Sequence, residues 1–292
     1  MSKTMKGGLV KGAVLLGLSS VLWPFGFASA SPLSYDFGGA DFGSSDWTLD
    51  GNALYAHDVF LTPPDRLRLT SGAIGQLGAA WLNTQQFNPQ MDWSVSLRGQ
   101  FSNRDPQGGG DGMALIWQTD GSSPAYDGAP IPYFVGGNLS GDYLAITLDS
   151  WYNWELPDPF AWQHNNLTVS TSTGVVGSLD LGLGALETND LFNLSASYDD
   201  DTNTLSVVFD SDVLAPVSGN FNINLNTLFG ANTSATVGFS ARTGLAWENH
   251  DILEVSIDAA PGVSAVPEPG TVGLLGLGLA GLICVGRKRR YY

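Results

Sequence analysis

Gly141-Asp142-Tyr143-Leu144-Ala145-Ile146-Thr147-Leu148-Asp149, running on into Ser150-Trp151-Tyr152-Asn153, joins two patterns in one stretch. Asp142 to Asp149 is mainly apolar with β-branched residues, the composition of a strand lying deep in a sandwich. Its end then carries oxygen-bearing side chains, Asp149 and Asn153, with Asp158 soon after. A calcium ion takes six to eight oxygens from carboxylates, amide and backbone carbonyls and water, so these three residues are the right side chains for it. Read without further context, Asp149 and Asp158 also suit turns, where Asp bonds to its own backbone.

Outward from this stretch, the region between Ser31 and Ala260 reads as strands and turns with almost no helical periodicity. Ser94-Val95-Ser96-Leu97-Arg98-Gly99-Gln100-Phe101 alternates apolar and polar residues at period two, the pattern of a strand with one buried face. Leu205-Ser206-Val207-Val208-Phe209 is read as a more deeply buried strand, and Tyr198 to Leu205 as a tight hairpin. Breakers at Pro63-Pro64, Gly108-Gly109-Gly110, Asp199-Asp200-Asp201 and Gly219-Asn220 separate the runs. The pattern predicts an all-β fold, two packed antiparallel sheets forming a β-sandwich of jelly-roll type.

The two ends read as addresses. Lys3, Lys6 and Lys11 precede an apolar run and the small residues Ala28-Ser29-Ala30, so residues 1–30 are predicted to be a secretory signal peptide. The domain is expected over 31–260 and a linker over 261–265. A tail over 266–292 opens with Val266-Pro267-Glu268-Pro269 and closes with Arg287-Lys288-Arg289-Arg290. Its apolar run, 271–286, would span about 24 Å as a helix, short for a bilayer core of about 30 Å but sufficient with snorkelling arginines. The basic cluster predicts that this end stays on the cytoplasmic side.

Between these ends five arginines stand against 27 acidic residues, a net charge near −22 with no lysine. Nucleic acid is excluded as a partner on this ground, because binding it depends on neutralising phosphates with Lys and Arg. The acidity suits solubility outside the cell and cation binding. Cys284, in the tail, is the sole cysteine, so no intrachain disulfide supports the domain and a large apolar core must do so.

Segments in consistent order resemble the legume-type (L-type) lectins. Leu67-Arg68-Leu69-Thr70 and Gly78-Ala79-Ala80-Trp81 are similar to early strands of bacterial members, Asp111-Gly112-Met113-Ala114-Leu115 to their Asp-Gly-aliphatic strand, and Phe134 to Leu139 to their glycine loop. Asp149 to His164 resembles their metal loop, and Val237 to Gly244 with His250-Asp251-Ile252-Leu253 their closing strands and specificity loop. The resemblance implies a concanavalin A-like sandwich and a calcium-dependent carbohydrate site. It assigns calcium to Asp149, the Trp151 carbonyl, Asn153 and Asp158, with His164 beside them. Manganese or another transition metal fits less well, because Thr147 stands where plant relatives carry a Glu, and His164 is displaced by one residue.

The sugar site implied by the resemblance uses Asp111 as carboxylate acceptor, the Asn153 amide, the N–H of Gly137 or neighbouring Gly136, and the Gly244-Leu245-Ala246 loop as further backbone donors. Such a set matches the mixed donor and acceptor character of sugar hydroxyls. Trp151, Tyr152, Trp154 and Trp247 are candidates to stack on the ring. The resemblance further implies a cis peptide at Gly110-Asp111, supported through the calcium shell. The tail resembles the PEP-CTERM sorting signal of Gram-negative bacteria. That likeness implies a transient inner-membrane anchor, removal by a dedicated sorting enzyme, and a final place at the cell surface or in extracellular matrix, where exopolysaccharide or surface glycans would be the partner.

Catalysis is not expected. Sandwich glycoside hydrolases need two carboxyl groups at about 5 to 9.5 Å, often as Glu-x-Asp-x-x-Glu on one strand, and no such run exists here. A matrix protein using the sandwich as a spacer is the other reading. His57 and His250 lack metal-ligand spacing and are expected at the surface or at strand edges.

Overall fold

Burial alternates along Leu191–Asp199, whereas Gly112–Gln118 and Tyr143–Asp149 are buried almost throughout. The computed structural model describes residues 32–106, 108–119, 139, 141–151 and 164–262. In chain order the strands are β1 (Leu33–Asp36), β2 (Trp47–Gly51), β3 (Leu54–His57), β4 (Asp65–Thr70), β5 (Leu77–Leu82), β6 (Trp93–Ser102), β7 (Gly112–Gln118) and β8 (Tyr143–Asp149). They continue with β9 (His164–Thr171), β10 (Gly174–Leu183), β11 (Leu191–Asp199), β12 (Thr204–Ser211), β13 (Val217–Asn222), β14 (Thr236–Arg242) and β15 (Asn249–Ala259). Among the described residues there is one short helix, α1 (Leu225–Phe229), whose N-cap Asn224 accepts from the Thr227 N–H at 2.8 Å.

One sheet has the order β13-β12-β11-β6-β15-β4-β3, with β1 paired to the second half of β15; the other has the order β10-β9-β8-β7-β14-β5-β2. All the pairings are antiparallel. The architecture is therefore the expected two-sheet sandwich. Leu67, Leu97 and Val255 on one sheet face Leu115, Ile146 and Phe239 on the other within one apolar core. Trp93 and Trp117 approach to 4.7 Å between ring centroids in that core, a packed aromatic pair bridging the sheets.

β7 and β8 are buried on both faces, as the apolar run at 142–149 predicts. On the outer side of their sheet Ala79, Trp81, Ala114, Ile116 and Ala145 form a second, smaller apolar cluster, with Leu139 and Tyr143 against it. Two expectations change. β12 is buried on one face alone: Leu205, Val207 and Phe209 point inward, while Val208 is exposed, because β12 lies one strand from the sheet's edge with its outer side toward solvent. Gly219-Asn220 is no breaker; it lies within β13, where Gly219 lets the Leu179 side chain approach the backbone.

The hairpin at Tyr198 to Leu205 forms as expected, with Asp199 opposite Thr204. The sandwich continues past Ala259, since Pro261 bridges to Phe87 and the Gly262 N–H donates to the Gln86 carbonyl at 2.9 Å. Residues 1–30, most of the 261–265 linker and the tail with its apolar run 271–286 lie outside the described residues. No helix among the described residues is long and apolar enough to cross a membrane.

Candidate carbohydrate and metal site

Register alone brings the key residues to one rim. Gly112 pairs with Arg242 on one side and with Asp149 on the other, and Asp149 pairs with Asn166. Asp111, one residue before β7, thus sits between the end of β14 and the end of β8. Its N–H donates to the Arg242 carbonyl at 2.7 Å, and its carbonyl accepts from the Ser150 N–H at 3.1 Å. The Gly110-Asp111 peptide is cis, the isomer that the resemblance implies.

The Asp111 side chain is 3% exposed, and its Oδ2 makes no hydrogen bond. The Arg242 Nε lies 3.5 Å from that oxygen, an ion pair at the long end of the range. Burial pushes the Asp111 carboxyl up to about 6; Arg242, His250 and the Gly244 backbone N–H oppose the shift, and Glu248 adds to it. A Cβ at Gly244 would come within 2.8 Å of Asp111 Oδ1, so a glycine there lets the 244–246 loop close onto the carboxylate. Ala246 is buried against Gly110, whereas Leu245 is 89% exposed at the rim. The loop is fixed from behind: the Gly75 N–H donates to the Gly244 carbonyl at 3.0 Å and the Thr243 hydroxyl to the Ala73 carbonyl at 2.7 Å.

Asp149 ends β8 with its carboxylate buried, and its Oδ1 accepts from the Trp151 N–H at 3.0 Å. The Trp151 ring packs on Gly108 and Gly110, which commits it to supporting the Asp111 segment. Trp247 is half-buried. Of the remaining candidates, Gly136, Gly137, Tyr152, Asn153, Trp154 and Asp158 lie outside the described residues, as does the His164 side chain. Among the described residues no cluster of three or more metal-ligating side chains forms. The donors that are placed, a buried carboxylate and a neighbouring peptide at a strand end, have the hard oxygen chemistry suited to calcium.

The sequence reading missed two residues here. His250 is fully buried, contrary to the expected surface or strand-edge position, because β15 is a central strand and Phe101 covers the imidazole edge-on at 4.6 Å between centroids. Glu248 is likewise fully buried. No local spacing signals either one. His57 does sit on an edge strand, exposed, 2.5 Å from Asp65.

Comparison with known proteins places this geometry. The profile of the legume lectin domain matches residues 37–268, and that of the PEP-CTERM protein-sorting motif matches residues 265–290. A curated relative, Lectin 6 of Medicago truncatula, is 30% identical over 172 residues, 51% of this chain and 61% of that protein's length. Among solved structures, basic winged bean lectin with Tn-antigen superposes with a TM-score of 0.61 at 19% identity, covering 79% of this chain and 99% of that one. The Bauhinia forficata lectin in complex with GalNAc gives 0.57 at 15% identity, covering 80% and 100%. The Ca2+/Man3GlcNAc-bound exoplasmic/lumenal domain of VIP36 gives 0.54 at 19%, covering 73% and 83%. With the matched domain covering most of the chain and the same concanavalin A-like sandwich beneath it, this protein belongs to the legume lectin domain family.

Proposed function

We propose that the protein is an exported lectin that binds carbohydrate in a calcium-dependent pocket at the sandwich rim. Asp111 carries this reading: a carboxylate almost removed from water keeps one oxygen without a hydrogen bond, beside an exposed loop at Gly244-Leu245-Ala246. Leaving such an acceptor unsatisfied is costly unless a ligand donor completes it, and a sugar hydroxyl is such a donor. In this reading Asn153 and the N–H of Gly136 or Gly137 complete the pocket. Asp149, the Trp151 carbonyl, Asn153 and Asp158, with His164 alongside, would hold the ion; manganese remains the poorer fit. Bound calcium would supply a fixed charge that draws these loop oxygens together, acting on the sugar through the shape of the pocket.

The related structures contain GalNAc, Tn-antigen and a mannose-containing glycan, which supports glycans as the ligand class here. The matched sorting motif supports export, and the apolar run at 271–286 with its basic end would anchor the chain in the inner membrane until a sorting enzyme releases it. Exopolysaccharide or surface glycans are then the partner within reach. Membership of a lectin family favours binding without catalysis. A glycan array tests the reading: the wild-type chain with calcium should bind a defined set of glycans, and Asp111→Ala and Asn153→Ala should lose them while remaining folded. Equal binding by all three proteins would rule this pocket out.

A further inference from the structure

Three loops of the rim meet at one buried carboxylate that sugar and metal binding, as described, do not use. Glu248 is 0% exposed. Its Oε1 accepts from the Ser150 hydroxyl in a short hydrogen bond and faces His250 Nε2 at 3.2 Å. Its Oε2 makes no hydrogen bond and lies where a side chain at Gly109 would have to go. The imidazole is held from its other side, with Nδ1 2.5 Å from the Thr70 hydroxyl.

Ser150 stands at the junction. It follows Asp149 in the chain, its N–H bonds to the Asp111 carbonyl, and its own carbonyl accepts from the Asn165 amide at 3.3 Å. Glu248 grips Ser150 with one oxygen and presses the other against the glycine run that leads into Asp111. Burying a carboxylate is unfavourable even after relaxation, and an apolar side chain of similar volume would fill the space at less expense. A carboxylate in so unfavourable a place lies at the contact of three rim segments, at Ser150, Gly109 and Glu248 itself.

We infer that Glu248 is a positioning residue that couples the metal loop to the sugar pocket, transmitting order at Asp149–Trp151 through Ser150 to the Gly108–Asp111 segment. The inference rests on the calcium-dependent lectin reading and deepens it. Coupling of this kind requires a contiguous set of contacts biased by both sites, and the Asp149, Ser150, Glu248, Gly109 and Asp111 chain is such a set.

The test uses calcium alone as the probe, with amide hydrogen exchange and thermal melting on the full exported chain. In wild type, millimolar calcium should raise the melting temperature and slow exchange both at 149–151 and at 108–111. In Glu248→Leu and in Ser150→Ala, which remove the acceptor and the donor in turn, calcium should still raise the melting temperature and protect 149–151, but protection at 108–111 should fall about tenfold, the loss of one side-chain hydrogen bond. Ser150→Thr, which keeps the hydroxyl, should restore it. A residue that only fills the core would lower stability without uncoupling the two segments, so undiminished protection at 108–111 in both variants overturns the inference. A wild-type chain that ignores calcium sinks the calcium reading itself, and this inference with it.

Discussion

Two buried charge clusters sit within one sandwich and are built on opposite principles. Around Asp251, on β15, both carboxylate oxygens are used: Oδ1 takes Arg68 Nε at 2.7 Å, and Oδ2 takes Arg68 Nη2 at 2.8 Å and Arg66 Nη1 at 3.1 Å. Arg66, itself fully buried, spends its remaining donors on Gln100 at 2.9 Å and on the Pro63 and Pro64 carbonyls, while Arg68 also reaches Asp58 at 3.3 Å. At the rim, Asp111 and Glu248 are as deeply buried, yet each leaves an oxygen without a hydrogen bond. A closed network has no room for a ligand and fixes the β3–β4 hairpin against β15. An open one is unfavourable alone: on the proposed reading a ligand from outside completes Asp111, while the open oxygen of Glu248 is turned against Gly109.

The contrast is exposed by breaking each side. Asp251→Ala removes the buried carboxylate that two arginines share and should cost about 3 to 5 kcal/mol, measured by denaturant unfolding. Folded protein that remains should still bind glycans. Were the loss under about 1 kcal/mol, the structural role given to this network would fail. The rim should behave in the reverse way.

Asp111→Asn should abolish glycan binding and, in metal-free protein above pH 6, raise stability by up to ~3 kcal/mol, the cost implied by moving its carboxyl from 3.8 to about 6. The sign follows from proton uptake. Between these two values the folded chain holds a proton that the unfolded chain has lost, so metal-free wild type gains stability as pH falls from about 6 towards 3.8 and loses it as pH rises again. In Asp111→Asn this dependence should vanish; its persistence would assign the titration elsewhere. Glycan binding should run the other way, weakening below about pH 6 as the acceptor is neutralised.

Removing calcium with a chelator should lower the melting temperature and release bound glycan, and re-addition should reverse both. At a hundred times its dissociation constant a native-state ligand contributes about 2.7 kcal/mol. An unchanged melting curve would count against the metal assignment. The smallest effect is expected at Leu245, exposed on the rim loop: Leu245→Ala should alter glycan affinity or selectivity while stability moves by no more than about 0.5 kcal/mol.

Period and composition carried the sheets. The alternation at Ser94 to Phe101 became β6, the buried run at 142–149 became β8, and the expected hairpin formed between Tyr198 and Leu205. Val208 and Gly219 misled because burial of a strand's second face and the approach of Leu179 depend on neighbours distant in the chain. That Asp111 and the Gly244 loop belong side by side was legible through the family resemblance, and the fold does bring them together. Glu248 and His250 were not, since Ser150 lies 98 residues from Glu248 and Thr70 lies 180 from His250. Register, rather than any motif, makes those contacts.

Sugar binding as proposed depends on the open oxygen of Asp111. Crystals grown in millimolar calcium and soaked with the strongest glycan from the array should show a sugar hydroxyl about 2.7 Å from Asp111 Oδ2, in the usual range for an O–H donor, with the ion held at Asp149. A saccharide bound elsewhere, while Asp111 Oδ2 faces Arg242 alone, would contradict it.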